Sequence, residues 1–432
     1  MGTEITLDVA GLTLAWSKNS RGQDHGMLFQ EKDRQRTPSD QIDYDWFAKN
    51  KEDPGPMEIG FCRSLREVLP RIELLGFTLD HVRREYERCV KAYGADRDDA
   101  NGKKAPPPMS FSEFVAFATA HPLETLDDTY DDDDSRMRGR FSDEALTQRI
   151  PRHWDYDMLA YSERSYFGRL IDILSPYAML RLLAQNPANL EADVAWQYGP
   201  LVEAGWATES EFVPEARRRQ TFLVATEGSS DAHILKHGFS LLKPEIYDFF
   251  RFIDVSERHP FPGTGNLVKF AEGLAKIDVQ NQVVFLFDND AEGLDAYQRV
   301  LSLNLPSNMR AMMLPELKQF LAFPARGPDG VKTADINRRA AAIECYLDLE
   351  SHNDVTAKVI WTTYKKELDA YQGALENKEN YAKGFLRQTS QTVGAGTYDV
   401  SKLRAVLGAL CAECQLIPEE ALQAIPWPPN EW

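Results

Sequence analysis

Two short apolar runs, each ending in carboxylates, constrain this chain more than any other feature. Phe222-Leu223-Val224-Ala225 leads into Glu227-Gly228-x-x-Asp231, and Val283-Val284-Phe285-Leu286-Phe287 leads into Asp288-x-Asp290-x-x-Gly293. A continuous β-branched and aromatic run of this length reads as a strand buried on both faces, as in a parallel sheet covered by helices. In open α/β sheets the ligand site lies just beyond the carboxyl ends of the strands. Two neighbouring strands would therefore gather Glu227, Asp231, Asp288 and Asp290 at one edge. Carboxylates held that close repel one another unless a cation neutralises them, and their hard oxygens suit magnesium or manganese. The plainer alternative is helix capping, with Glu227 and Asp231 near one N-terminus and Asp290 near another. Capping alone would not require two such motifs in this order.

Together, E-G-x-x-D after one strand and D-x-D-x-x-G after a later one resemble the Toprim domain. That catalytic module is shared by type IA and type II topoisomerases, bacterial primases, OLD-family nucleases and a ribosomal-RNA maturase. The resemblance covers residues 216–350. Between the motifs, Phe249–Ile253 reads as a second strand, Gly263-Thr264-Gly265-Asn266 as a turn, and Leu267-Val268-x-Phe270 as the start of an amphipathic helix. Met309–Leu314 supplies a fourth strand. The resemblance implies a Rossmann-like, mostly parallel α/β domain that hydrolyses phosphodiester bonds with a divalent metal. Asp288 and Asp290 would ligate Mg2+ or Mn2+, Glu227 would be a ligand or the general acid/base, and Asp231 would complete a second metal position. OLD-type nucleases use a further acid after the fourth strand. Glu344, within the run Arg338–Leu347 that reads as a helix, either fills that role or is a solvated helix residue.

Composition narrows the rest. A chain of 432 residues normally holds two or three domains. No segment approaches the roughly 18 consecutive apolar residues of a membrane helix, and the N-terminus lacks the basic and apolar regions of a signal peptide. Met1-Gly2-x-x-x-Thr6 matches a myristoylation pattern, but Ile5, Leu7 and Val9 alternate with polar residues as in a strand. A cytoplasmic setting is expected. Of the five cysteines, Cys411 and Cys414 are closely spaced, yet no second pair partners them for zinc, so buried free thiols are expected. The net charge of −18 argues against non-specific coating of nucleic acid. Its densest acidic stretch, Asp127–Asp134, reads as a solvated loop. Arg217, Arg218 and Arg219, just before the first acidic-motif strand, are candidate nucleic-acid-binding residues, as are Arg136, Arg138 and Arg140. Either group could equally form surface ion pairs. There is no G-x-x-x-x-G-K-[ST] loop for ATP.

Three blocks follow from the pattern. Residues 1–215 read as a mixed α+β domain, opening with a hairpin that turns at Ala10-Gly11. Thr78 caps a helix with Leu79, Val82, Tyr86, Cys89 and Tyr93 on its inner stripe, residues 95–109 form a polar loop, Ser110-x-x-Glu113 is a capping box, and Ser175-Pro176 starts another helix. Residues 351–432 read as a helical region, with Val359, Trp361, Tyr364, Leu368 and Tyr371 on one helix and Leu403–Leu410 on another, before an extended tail from Ile425. The opening segment Glu4–Asn19, with Gly26–Phe29, resembles the HEPN/Toprim-associated N-terminal domain of bacterial proteins tied to defence against phage. HEPN ribonucleases use R-x4-6-H, and none of the eight histidines has an arginine at that spacing. Sensing, dimerisation or partner binding is the expected role of this block. The resemblances imply an effector nuclease that cuts DNA or RNA and works beside a separately encoded ABC-type ATPase, with homo-oligomerisation open. The alternative is a catalytically silent Toprim scaffold or regulatory subunit that binds nucleic acid or a partner ATPase.

Overall fold

The computed structural model describes residues 2–39, 42–93, 106–151, 160–253, 263–277, 279–350, 356–366 and 368–425. The chain divides into two compact units, Met1–Ala216 with Leu422–Trp432, and Arg217–Ala421. In the first, Ala10 (φ 49°) and Gly11 (φ 76°) both take left-handed backbone angles. That is the two-residue turn whose twist matches paired strands, and it joins β1 (Glu4–Val9) to β2 (Leu12–Lys18). With β3 (Arg34–Arg36), β4 (Ile59–Ser64) and β5 (Asp193–Gln197) they form an antiparallel sheet in the order β2-β1-β5-β4-β3. Helices α1 (Leu79–Tyr93), α2 (Phe111–Thr119) and α3 (Pro176–Leu183) start at the expected signals. Thr78 Oγ1 accepts from the His81 amide at 3.2 Å, and the Ser110/Glu113 capping box is formed. Leu7, Phe61 and Trp196 of the sheet share one core with Val82, Tyr86, Leu180 and Leu183 of the helices. The part of the expected 95–109 loop before Pro106 lies outside the described residues.

The acidic run of this unit is a loop knitted by arginines. Arg164 reaches Asp128 at 3.0 Å, and Arg136 reaches Asp131 at 3.3 Å and Asp133 at 3.6 Å. Arg140 pairs with Glu163 at 3.0 Å, and the Arg138 guanidinium lies 5.7 Å from the centre of the Tyr166 ring. All three arginines after the run are thus engaged within the unit.

The second unit holds the two apolar runs. They are β6 (Phe222–Ala225) and β8 (Gln282–Phe287), neighbours in a parallel sheet with β7 (Phe250–Phe252) and β10 (Met309–Met313), in the order β10-β8-β6-β7. Between them in the chain lie α4 (Ser229–Leu242) and α5 (Thr264–Ala275), and α6 (Ala291–Leu301) leads from β8 towards β10. Val283, Phe285 and Phe287 pack with Leu267, Val268, Ala296 and Val300 in one cluster, while Val284 and Leu286 are buried on the other face. A run covered on both sides has no reason to alternate, hence its continuous apolar sequence. Each such fully buried side chain contributes about 1.5–3 kcal/mol. The chain leaves β6 towards β7 on one side and β8 towards β10 on the other. The direction of winding therefore reverses between β6 and β8, which opens a crevice beyond their carboxyl ends.

Beyond β10, β11 (Phe323–Gly327) and β12 (Gly330–Ala334) join β14 (Val359–Lys365) and β15 (Ala370–Leu375) in a mixed sheet, and α7 (Lys378–Phe385) and α8 (Ser401–Gln423) follow. The two-residue β9 (Asn289–Asp290) pairs with β13 (Ala340–Ala341).

Three expectations are corrected here. Gly263, at φ 92°, is the N-cap of α5, so Thr264–Asn266 are already helical and not a separate turn. Arg338–Leu347 is not a helix but β13 followed by a 3-10 turn at Ile343–Tyr346. Every residue from Ile343 to Leu347 is buried, and tertiary cover on all sides overrides the high helix propensity of the alanines just before them. The segment Val359–Tyr371 is not helical but a β-hairpin. A bulge between Trp361 and Thr363 puts Val359, Trp361 and Tyr364 on one face, and the extra residue disguises a period of two as helical spacing. The Leu403–Leu410 helix is present, with Cys411 and Cys414 buried and not joined in a disulfide. The tail from Pro426 lies outside the described residues.

Candidate functional site

The crevice beyond β6 and β8 collects acids from four segments. Glu227 sits two residues past β6, and its Oε1 accepts from the Asp288 amide at 3.1 Å, which ties the ends of the two strands together. Asp231 is the third residue of α4 and accepts from the Gly228 amide at 3.0 Å. Asp290 caps α6 by accepting from the Gly293 amide at 2.7 Å. Glu344 comes from the 3-10 turn after β13 and is almost fully buried. Capping and clustering therefore coexist: Asp231 and Asp290 do both.

Strand geometry explains why the D-x-D motif works. Side chains alternate, so Asn289 points away from its two neighbours. Its Oδ1 accepts from the Arg338 amide at 2.7 Å, and its Nδ2 donates to Asn337 and to the Tyr346 hydroxyl, each at 3.2 Å. Asn289 is thus the buried anchor from which Asp288 and Asp290 project. Gly293 is required for a different reason. A Cβ at that position would stand 2.2 Å from the Asp288 carbonyl oxygen, far inside contact distance, so only glycine lets α6 start this close to β8.

The electrostatics are those of unneutralised, desolvated acids. Burial and the Asp290 charge push Glu227 up to about 8. Burial and the Glu344 charge push Asp231 up to about 7. Asp288 is raised by burial and then by Asp231, Glu227, Asp290 and Glu344, so it feels all four of the other acids. Asp290 is raised by burial despite the donors that pull it back. Lys378, at the start of α7, is the cation beside them, 3.8 Å from Glu344 Oε1. Burial pulls its ammonium down, but the Glu344, Asp288 and Asp231 charges outweigh burial and raise it.

The donor set, all carboxylate oxygen, fits a hard divalent cation. Glu344 Oε2 is moreover buried with no hydrogen-bond partner. In the present rotamers, however, no group of three or more His, Cys, Asp or Glu side chains among the described residues is arranged to hold a metal ion. Several oxygens are turned to protein donors instead. Asp290 Oδ2 accepts from Gln372 Nε2 at 2.6 Å, and Glu344 Oε1 accepts from Ser230 Oγ at 3.2 Å.

Sequence reasoning placed Glu227, Asp231, Asp288 and Asp290 at one edge, and the structure brings them together with Glu344. It does not bring Arg217, Arg218 and Arg219 there. These precede β6, and Gln282 at the start of β8 donates to the Arg219 carbonyl at 2.9 Å. They therefore lie at the amino end of the strands and the acids at the carboxyl end. Lys378 and Gln372 were not anticipated. Both lie in the region read as helical, and neither carries a local motif. A sequence profile described as HEPN/Toprim N-terminal domain 1 matches residues 1–220, about half of the chain. No curated protein and no solved structure matches it.

Proposed function

Given that the chain belongs to the HEPN/Toprim N-terminal domain 1 family, we propose that its second unit is a Toprim-type module that hydrolyses phosphodiester bonds of nucleic acid with Mg2+ or Mn2+. The observation that carries this reading is the convergence of five acids from separate segments on the switch-point crevice, with one oxygen buried and unpartnered. Asp288, Asp290, Asp231 and Glu344 would hold the cation, with Glu227 as a further ligand or as the group that moves the proton. When bound, such a cation polarises a scissile phosphodiester and lowers the pKa of an attacking water. As the proton-moving group, Glu227 would pass a proton to a departing oxygen from the end of β6, where its Oε1 accepts from the Asp288 amide. Lys378 offers positive charge to a phosphate, and Gln372 fixes the rotamer of Asp290. An effector role in anti-phage defence, beside a separately encoded ABC-type ATPase, is the setting this reading suggests.

A second reading has its own support. The engagement of Asp290 by Gln372, and the lack among the described residues of three ligand side chains arranged about one point, favour a silent scaffold that binds nucleic acid or a partner. One assay separates the two. Purified full chain is offered plasmid DNA and total RNA side by side in Mg2+, Mn2+ or EDTA. Cutting of one polymer that needs metal and disappears in the Asp288→Ala/Asp290→Ala variant is the expected result. Cutting that persists in EDTA, or in that variant, overturns the metal-nuclease reading. A parent that cuts neither polymer leaves the scaffold.

A further inference from the structure

One side of the acid cluster is held by an element remote in sequence. Gln372 of β15 lies 82 positions from Asp290, yet its side chain makes three hydrogen bonds at the start of α6. Its Oε1 accepts from the Ala291 and Glu292 amides at 2.9 and 3.1 Å, and its Nε2 donates to Asp290 Oδ2 at 2.6 Å. In the hairpin, Thr363 pairs with Gln372 and Lys365 with Ala370, so alternation puts Lys365 and Gln372 on one face. Lys365 reaches Glu292 from that face at 2.9 Å. A third tie is made by backbone. The Gly373 amide donates to the Arg339 carbonyl at 3.0 Å, directly before β13, and Ala340 of β13 pairs with Asp290. The hairpin thus reaches Asp290 by two routes. The β14 bulge between Trp361 and Thr363 lies opposite Gln372 and Gly373, and a bulge re-aims the side chains around it.

Capping of α6 accounts for only part of this arrangement. The first amides of a helix need acceptors, and a carboxylate would supply them while also suiting the helix dipole. A carboxylate at position 372 would set one more negative charge against Asp290. A neutral amide avoids that, because one end accepts from the helix amides while the other donates to the acid. The bond also leaves Asp290 able to ligate. An ionised carboxylate has about four lone-pair positions, and Oδ1 and Oδ2 accept from the Gly293 amide and from Gln372. Hydrogen-bond partners of this kind orient a metal-binding carboxylate.

We propose that Gln372 is a positioning residue through which the β14–β15 hairpin and the cation regulate each other. This rests on the metal reading of the acids. With the hairpin docked, Asp290 is held in one orientation for ligation. With it lifted, Asp290 and the first amides of α6 lose that hold. Linkage between two such events is reciprocal, so the factor by which docking raises metal affinity is the factor by which metal favours docking. A molecule that lifted the hairpin would therefore weaken metal binding without touching an acid.

The test reads metal binding directly and needs no cleavage. Full chain stripped of metal is titrated with Mn2+ by calorimetry, at a temperature where parent and variant are both folded. Gln372→Met, which keeps the length of the side chain, weakens Mn2+ binding by roughly 10-fold or more. A residue that only capped α6 would lower stability in EDTA and leave the affinity of the folded protein unchanged. The second measurement is hydrogen exchange in the parent, which decides the matter if the variant does not fold. Saturating Mn2+ slows exchange in the hairpin strands Val359–Lys365 and Ala370–Leu375. Unchanged affinity in a folded Gln372→Met variant, or hairpin exchange that ignores saturating Mn2+, overturns the coupling while the metal reading stands. A parent that binds no Mn2+ overturns both, and this is seen before any substitution is made. If the parent binds Mn2+, the variant binds it more weakly and neither cuts nucleic acid, the coupling stands and the nuclease does not.

Discussion

The molecule carries two concentrations of acid, and they are opposites. Asp127–Asp134 in the first unit is the denser in sequence, yet Arg164 and Arg136 ion-pair three of its aspartates. The five acids of the second unit are scattered over more than a hundred positions, yet they converge where Lys378 is the cation paired with one of them among the described residues. Acid density along a chain therefore says little about a site. What distinguishes the two regions is whether the fold supplies counter-charges of its own. The largest expected effect tests that difference. Asp288→Asn should lower metal-dependent cleavage by ~100-fold or more. In EDTA it should also raise stability by about 1 kcal/mol, the worth of one unit of relieved pKa shift. Asp128→Asn should do the reverse. It removes the charge that pairs with Arg164 and turns one of the two oxygens that accept from Arg164 and the Ser162 hydroxyl, at 3.0 and 2.9 Å, into an NH2 group, costs about 1 kcal/mol, and leaves cleavage unchanged. Denaturant titrations and the cleavage assay read both. Equal destabilisation by the two substitutions would erase the distinction.

The next effect concerns the backbone that holds the cluster. Gly293→Ala forces a methyl to within 2.2 Å of the Asp288 carbonyl, so α6 must shift away from β8. Overpacking of this kind costs about 1–3 kcal/mol, and cleavage should fall with it because the start of α6 carries Asp290. A thermally unchanged, fully active Gly293→Ala variant would mean that the close approach is not needed.

How far the sequence revealed these regions depends on how local the cause is. The two buried strands, their order and the four acids after them were legible, because each motif sits directly behind its own continuous apolar run. The Ala10-Gly11 turn and the Ser110/Glu113 capping box were legible for the same reason. Glu344 could not be resolved, because its burial comes from the pairing of Ala340–Ala341 with Asn289–Asp290, a contact between segments about fifty residues apart. The hairpin was misread because a single bulge at Thr362 changed its phase. Gln372 and Lys378 were invisible in consequence, since their roles exist only once that hairpin folds back on the start of α6.

A smaller effect distinguishes the regions by pH. In the cluster, Glu227 and Asp231 are raised to about 8 and about 7. Between the ordinary carboxylate range and pH near 8, the folded chain therefore keeps protons that the unfolded chain has released. Stability must fall as pH rises through that window and level off above it. Glu163 in the first unit behaves oppositely. Burial pushes it up, but bonds from the Arg140 and Asp127 amides outweigh this and hold it below its ordinary value. Its contribution is present above that ordinary value and is lost as pH falls through the folded pKa. In EDTA, denaturant titrations from about pH 5 to about pH 8.5 should show stability declining by about 1 kcal/mol or more. Excess Mn2+ should flatten the decline, because a bound cation holds the acids ionised. A flat profile in EDTA would mean that the acids are not crowded as described.

The smallest effect is the one that sequence adjacency would have made large. Arg217, Arg218 and Arg219 stand a few residues before Glu227 in the chain, and a triple basic run beside an acidic motif reads as a phosphate grip. In space, β6 intervenes. Its four residues rise by roughly 3.3 Å each, so the arginines and the acids lie more than 10 Å apart along the strand. At physiological ionic strength, exposed charges separated by more than about 8 Å are largely screened from one another. Arg217→Ala/Arg218→Ala/Arg219→Ala should therefore leave the rate of cleavage within roughly 2-fold of the parent at physiological salt. Lys378→Ala, although remote in sequence, should reduce it by ~10-fold or more, because its ammonium lies in the crevice itself. If the triple variant instead lost cleavage as Lys378→Ala should, the substrate path would have to run along the whole edge of β6, and the acid cluster would be only one end of the site.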